Sequence, residues 1–297
     1  MNKKPIIEAF FDDATNTISY LVVDPATRVA AVIDPVLDFD LSSGEVRTAF
    51  ADRILEAAAD KGWKIAMVLE THAHADHLSA AAYIRARTGA WIGIGEHIRD
   101  VQKIFRPVFA LEDLVPDGSD FDRLFADGER FALGELEVEV MHTPGHTPAC
   151  VTYLIGDAAF VGDTLFMPDY GTARADFPGG DARALYRSIR RILALPEETR
   201  LFLCHDYKGP GREEHAWETT VRAQRRDSIH VHDGVSEDDF VATREARDAT
   251  LAVPRLLLPS IQVNVRAGHL PAPRQDGRRF LRIPLKIEPE AEAAFAD

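Results

Sequence analysis

Thr71-His72-Ala73-His74-Ala75-Asp76-His77 places three histidines and an aspartate within six residues. The segment follows an apolar run, Lys64 to Leu69, that reads as a buried strand. A loop at the carboxyl end of such a strand can aim several side chains into one crevice. In an extended loop residues two apart face the same way, so His72 and His74 can converge on one ion while the turn at Asp76-His77 points at a neighbouring position. Imidazole and carboxylate ligands suit zinc, iron or manganese. The bland alternative is a helix start capped by Asp76 with exposed histidines, and the density of ligand-type side chains argues against it.

Three further motifs end apolar runs. His142-Thr-Pro-Gly-His146-Thr-Pro follows a strand ending at Met141, and its prolines and glycine predict a rigid loop that holds His146. Gly162-Asp163-Thr164 follows Ala158 to Val161 and sets a lone carboxylate at a strand end. Cys204-His205-Asp206-Tyr207 closes a fourth run. Alone, Asp163 reads as a turn residue and His205 as structural; four such motifs at strand ends in one chain read as a site.

The elements that position these motifs alternate. Short β-rich runs (Ile6 to Phe11, Thr17 to Val23, Val29 to Ile33) are separated by DDATN and DPATR turns, as in hairpins. Apolar residues recur at helical spacing from Glu45 to Lys61, and a strand is expected over Lys64 to Leu69. Helices near Ala80 to Arg87 and His97 to Phe105 flank a strand at Trp91 to Gly95, followed by strands at Leu136 to Met141 and Val151 to Phe160. Asp181 is an N-cap for a surface helix running to Leu195, and a strand follows at Arg200 to Cys204. Beyond it, Glu214 to Arg226 and Glu237 to Thr250 read as polar, solvent-facing helices, then a proline-punctuated stretch. The whole is mixed α/β, divided as residues 1–210, a C-terminal extension 211–287 packed on them, and a disordered tail 288–297.

Composition narrows the function. The chain has 297 residues, enough for a sizeable core, and a formal charge of −14 that repels a phosphate backbone, so nucleic acid is not an expected partner. No apolar run reaches 18 residues, so no membrane span is expected. Two cysteines, Cys150 and Cys204, are too few for a disulfide framework; they read as buried, inert thiols in a reducing, cytoplasmic setting.

In this order and spacing the four motifs resemble the metallo-β-lactamase superfamily over roughly residues 5–210. The resemblance implies an αββα sandwich with metal in the cleft between its sheets. It also implies one metal position lined by His72, His74 and His146, a second lined by Asp76, His77 and His205, and Asp163 between them.

A finer resemblance, over almost the whole chain, is to the persulfide dioxygenases. It rests on THAHADH, HTPGHTPAC, GDTLF, GTARADFPGGDARALYRSI, CHDY and VPRLLLPSIQVNVRAG. Where the mitochondrial members carry an RTDF-like element this chain reads Arg174-Ala175-Asp176-Phe177. That resemblance implies one Fe(II) per chain on His72, His146 and Asp163, a facial triad with open positions. His74, Asp76, His77 and His205 then support the ligands, touch substrate or form a second metal position. Arg174, Tyr207 and Arg225 are the implied contacts to a glutathione moiety. The implied reaction oxidises glutathione persulfide with O2 to sulfite and glutathione; family analogy adds a homodimer. The alternative is a dinuclear zinc hydrolase of the glyoxalase II type acting on a glutathione thioester, which shares every metal motif.

Overall fold

The computed structural model describes residues 4–292 and 294. In chain order the elements begin with β1 (Ile6–Asp12), β2 (Thr17–Val23), β3 (Val29–Ile33), β4 (Val36–Asp40), β5 (Glu45–Arg47) and α1 (Ala49–Asp60). Next come β6 (Lys64–Leu69), β7 (Leu78–Ser79), α2 (Ala81–Thr88), β8 (Trp91–Gly95), α3 (Ile98–Val108) and β9 (Arg123–Phe125). The second half holds β10 (Arg130–Leu133), β11 (Leu136–His142), β12 (Val151–Ile155), β13 (Ala158–Phe160), α4 (Ala182–Leu193), β14 (Arg200–Phe202) and β15 (Glu218–Thr220). Four helices follow: α5 (Val221–Asp227), α6 (Glu237–Asp248), α7 (Leu257–Asn264) and the single turn α8 (Pro289–Glu292).

Two six-stranded sheets, ordered β1-β2-β3-β6-β8-β9 and β10-β11-β12-β13-β14-β15, stack face to face. Alternation explains the stacking. Along β2 and β3 Tyr20, Val22, Ala31 and Ile33 join Tyr153, Ile155 and Phe160 of the other sheet in the inter-sheet core. Leu21, Val23, Ala30 and Val32, one residue out of phase, pack beneath the outer helices with Phe50, Ile54 and Ile84. Strands buried on both faces have no polar side to show, which is why their sequences are almost continuously apolar. On the opposite flank Leu185, Ile189 and Ile192 of α4 pack on Ala159 and Leu201. The Asp181 carboxylate caps that helix, accepting from Ala184 N–H at 2.8 Å. The fold is an αββα sandwich.

Several sequence expectations shift. Glu45–Arg47 is not the start of a helix but an edge strand paired with β4, because the chain turns at Thr48 before α1 begins. Val151 to Phe160 is two antiparallel strands, reversed at Gly156 with φ +62°. Glu218–Thr220 extends the second sheet, so α5 starts only at Val221, capped by Thr220. The proline-punctuated stretch contains α7. Nor is α6 wholly solvent-facing: Arg244 and Asp248 form a buried ion pair at 2.8 Å. Of the expected disordered tail, residues 293 and 295–297 lie outside the described residues. Among the described residues no helix is long and apolar enough to cross a membrane.

Candidate metal centre

All four motifs emerge at one edge of the sandwich. Residues 71–77 leave the first sheet after β6, while His146, Asp163 and His205 follow β11, β13 and β14 of the second. The sheets are tied there by a bridge between Thr17 and His205 and by Ile18 N–H donating to Cys204 O at 2.7 Å. Gly162 lets the Asp163 turn close: its φ is +51°, and a Cβ there would stand 2.6 Å from Thr71 Oγ1.

The donor atoms of His72, His146 and Asp163 lie within 4.8 Å of one another. The neighbouring groups fix each imidazole with Nε2 toward the common point. The Thr71 hydroxyl donates to Asp34 Oδ2 at 2.8 Å and therefore accepts from His72 Nδ1, 3.1 Å away. His146 Nδ1 donates to the Arg174 carbonyl at 2.8 Å. That carbonyl is itself placed from α6, since Arg244 donates to Thr172 O and the Asp248 carboxylate accepts from Ala175 N–H. His72 Nε2 and His146 Nε2 then stand 4.0 and 3.7 Å from Asp163 Oδ2. Burial, with the neighbouring His74 and His146, holds the His72 pKa well below its ordinary value, so it stays the neutral imidazole a metal requires.

His72 Nε2, both ring nitrogens of His74, His77 Nε2, His205 Nε2 and Asp163 Oδ1 are buried without a hydrogen-bond partner. Buried nitrogens and carboxylate oxygens do not remain unpaired without a reason; a divalent ion among His72, His146 and Asp163 supplies it for that group, and the unpaired nitrogens of His74, His77 and His205 mark a neighbouring position. The residues present fit a metal.

The histidines of the two ligand sets implied by the superfamily lie side by side, and His74, Asp76 and His77 also bring their donor atoms within 4.8 Å of one another. His74 Nε2 lies 3.0 Å from Asp34 Oδ1 and 3.6 Å from Glu70 Oε2, while its Nδ1 is buried without a hydrogen-bond partner. Burial disfavours the His74 cation, but the two carboxylates outweigh it and push its pKa well up. His77 directs Nδ1 to Asp76 Oδ2 at 3.1 Å. A further group that converges is Asp76, Asp163 and His205, with His205 Nε2 3.3 Å from each carboxylate. Asp163 is shared by this group and the His72, His146 and Asp163 group.

A cavity of about 330 Å³ opens from Asp76, His146 and Asp163 outward. Its walls are Phe166, Tyr170, Phe177 and Tyr207, and the Tyr207 ring stacks on His205 at 5.5 Å. Arg174 lines it, as expected, but its guanidinium is engaged by Asp176 and by the Ala252 carbonyl. Arg225 does not reach it: Asp233 binds it at 2.9 Å on the exposed side of α5, and it leaves the candidate substrate set. Arg247 and Arg255, which sequence reasoning passed over, line the cavity instead. Cys150 and Cys204 are buried; burial pushes the Cys150 thiol up to about 12.

Residues 13–205 match the family model described as the metallo-beta-lactamase superfamily, and the chain belongs to that superfamily. It is a metal-site protein of an enzyme family. Among its relatives, a probable metallo-hydrolase of Burkholderia pseudomallei is 55% identical over 94% of this chain and 98% of its own length. Glyoxylase B2 of Dictyostelium discoideum is 45% identical over 96% of this chain and 98% of its own. The chain spans 65% of the length of the 53%-identical beta-lactamase hydrolase-like protein of Xylella fastidiosa, covering 95% of this chain. Among solved structures, ETHE1 from Myxococcus xanthus superposes with a TM-score of 0.71 at 32% identity, over 89% of this chain and 100% of that one.

Proposed function

We propose that the chain is a persulfide dioxygenase that binds one Fe(II) on His72, His146 and Asp163 and converts glutathione persulfide, O2 and water to glutathione, sulfite and two protons. The observation that carries this reading is the centre itself: two imidazoles and one carboxylate converge. A ferrous ion on such a triad supplies open coordination for a sulfur ligand and reactivity toward dioxygen. The reading agrees with the fold shared with the Myxococcus ETHE1.

The protein groups do the rest. The Arg174 carbonyl and the Thr71 hydroxyl hold the protons of His146 and His72 on Nδ1. The aromatic walls exclude bulk water from the reacting sulfur. The guanidiniums of Arg247 and Arg255, at the outer end, suit the carboxylates of a tripeptide. The sulfane sulfur loses four electrons and dioxygen gains four, so no organic cofactor is needed.

A second reading, a dinuclear zinc hydrolase of glutathione thioesters, is favoured by one geometric fact and by names. Asp76, Asp163 and His205 form a further donor group beside the triad, and the Burkholderia and Dictyostelium relatives carry hydrolase and glyoxylase names. Anaerobic purification with elemental analysis, then oxygen uptake on glutathione persulfide against hydrolysis of S-lactoylglutathione, separates the two. One iron with oxygen uptake is expected. Two zinc ions with thioester hydrolysis and no oxygen uptake would establish the second reading.

A further inference from the structure

We infer that the buried Arg244–Asp248 ion pair of α6 positions the metal ligand His146, acting through the backbone of residues 172–175. The inference rests on His146 being a ligand of the triad, not on which reaction the centre performs.

His146 sits on the loop after β11. Among the described residues the Arg174 carbonyl is the one hydrogen-bond partner of its ring, 2.8 Å from Nδ1. That contact fixes the rotation of the ring with Nε2 toward Asp163 Oδ2, 3.7 Å away. The direction of a single carbonyl therefore decides where the ligand atom stands.

Residues 172–175 belong to no helix or strand, so the carbonyl has to be held from elsewhere. The ion pair grips the segment on both sides of Arg174. Arg244 Nη1 donates to Thr172 O at 3.0 Å, and Asp248 Oδ2 accepts from Ala175 N–H at 2.9 Å. The two side chains, four positions apart on one helix face, lock to each other: Arg244 Nε and Nη2 reach Asp248 Oδ1 at 3.0 and 2.8 Å. His230 adds a third grip, its Nδ1 accepting from Thr172 N–H at 3.2 Å. The segment passes so close to this ring that a Cβ on Gly171 would stand 2.2 Å from the same nitrogen.

Arg244 and Asp248 are 3% and 5% exposed. A buried ion pair is often no more stabilising than apolar residues of the same volume, so stability alone does not account for this one. What apolar residues cannot supply is a donor for one backbone group and an acceptor for another, set either side of a carbonyl that must not turn. Neither side chain is a metal donor. Both are positioning residues, and they reach the metal only through Arg174 O and His146.

The test is proton NMR of the Co(II)-loaded protein in H2O and D2O, without substrate, where each ligating imidazole N–H gives a hyperfine-shifted line that vanishes on exchange. A Co(II) titration gives affinity, and circular dichroism reports the fold. His146→Cys and His72→Cys keep a ligand atom, lack the N–H and so assign the two lines. Arg244→Lys keeps the charge, but one ammonium cannot hold Asp248 and Thr172 O together. It is expected to shift the His146 line, speed its solvent exchange about 10-fold and weaken Co(II) binding about 10-fold, with the His72 line unmoved. The double variant Arg244→Met plus Asp248→Leu fills the same space without charge and is expected to fold and to show the same change in full. A wild-type His146 line and affinity in either folded variant overturns the inference, and so does an equal shift of both lines, which would mark a general loosening. If His146→Cys removes no exchangeable line, His146 is not a ligand and the triad reading falls as well. If it removes one that the α6 variants leave in place, the positioning role falls alone.

Discussion

Asn264 Nδ2 donates to the His77 carbonyl at 2.8 Å across 187 positions of sequence, and to the His74 carbonyl at the same distance. Its Oδ1 accepts from Ser79 N–H at 2.8 Å. One side chain of α7 thus satisfies three backbone groups of the histidine loop and of β7 just after it, and it is itself buried. The C-terminal extension therefore contributes to the rigidity of the metal loop without touching the metal.

Asn264→Ala should destabilise the protein by about 3 kcal/mol, seen as a fall of roughly 6–12 °C in Tm, because three buried backbone groups lose their partner. Asn264→Asp, which keeps the acceptor and loses the donors, should fall between. Thermal melts of the metal-loaded protein check this; a Tm within a degree of wild type in the alanine variant would remove the strap.

Asp163→Ala and Asp76→Asn distinguish ligand from support. Asp163 is the only carboxylate in the triad, so its loss should abolish metal retention. Asp76→Asn should keep most of the iron and lose about 10- to 100-fold in activity or metal affinity. Equal loss of metal in both variants would mean that the Asp76, Asp163 and His205 group is occupied, and that the mononuclear assignment fails.

Arg247→Ala should raise KM for glutathione persulfide by about 10-fold with little change in kcat, as expected for a contact to a remote carboxylate. Arg174→Ala should do less to KM and more to stability, because its guanidinium already serves Asp176 and the Ala252 carbonyl. Saturation curves for the two variants decide; the reverse ranking would restore Arg174 as the substrate anchor.

Arg212 sets an acid limit on stability. Burial acts to raise the Asp206 pKa, but hydrogen bonds from Arg212 and Ala216 N–H outweigh it and leave the carboxyl below its ordinary range. A depressed folded pKa adds stability that is present above the unfolded value and disappears as pH falls through the folded one. Arg212→Leu should therefore cost about 2 kcal/mol at pH 7, less than a wholly buried pair, and progressively less below pH 4. Denaturation midpoints of both proteins across pH 3–7 test it, and a pH-independent gap would refute the linkage.

The ligand motifs were legible because each is dense in its own short segment and each follows an apolar run. The layer order was legible for the same reason: β2, β3 and β6 are apolar on both faces, and α4 carries a capped, one-sided apolar stripe. What escaped was pairing at long range. Asp34 ends β3 as an ordinary turn residue would, and only the fold brings it to His74, forty positions on. Asn264 sits in a stretch whose prolines hide a helix. Among the arginines the sequence offered no means of telling which are already neutralised. Arg225 is taken by Asp233, and Arg244 by Asp248 inside a helix that composition alone paints as solvent-facing.

The triad draws His72 from one sheet and His146 and Asp163 from the other. Neither half of the sandwich contains the complete triad, so during synthesis that site cannot form on the first sheet alone as it leaves the ribosome. Loading of the triad has to wait until the chain has grown past residue 163 and the two sheets have docked, which makes it a checkpoint on correct assembly. Chelation then runs the same logic backwards: withdrawing the ion removes a cross-link between the layers, and the metal-free protein should open first along this edge.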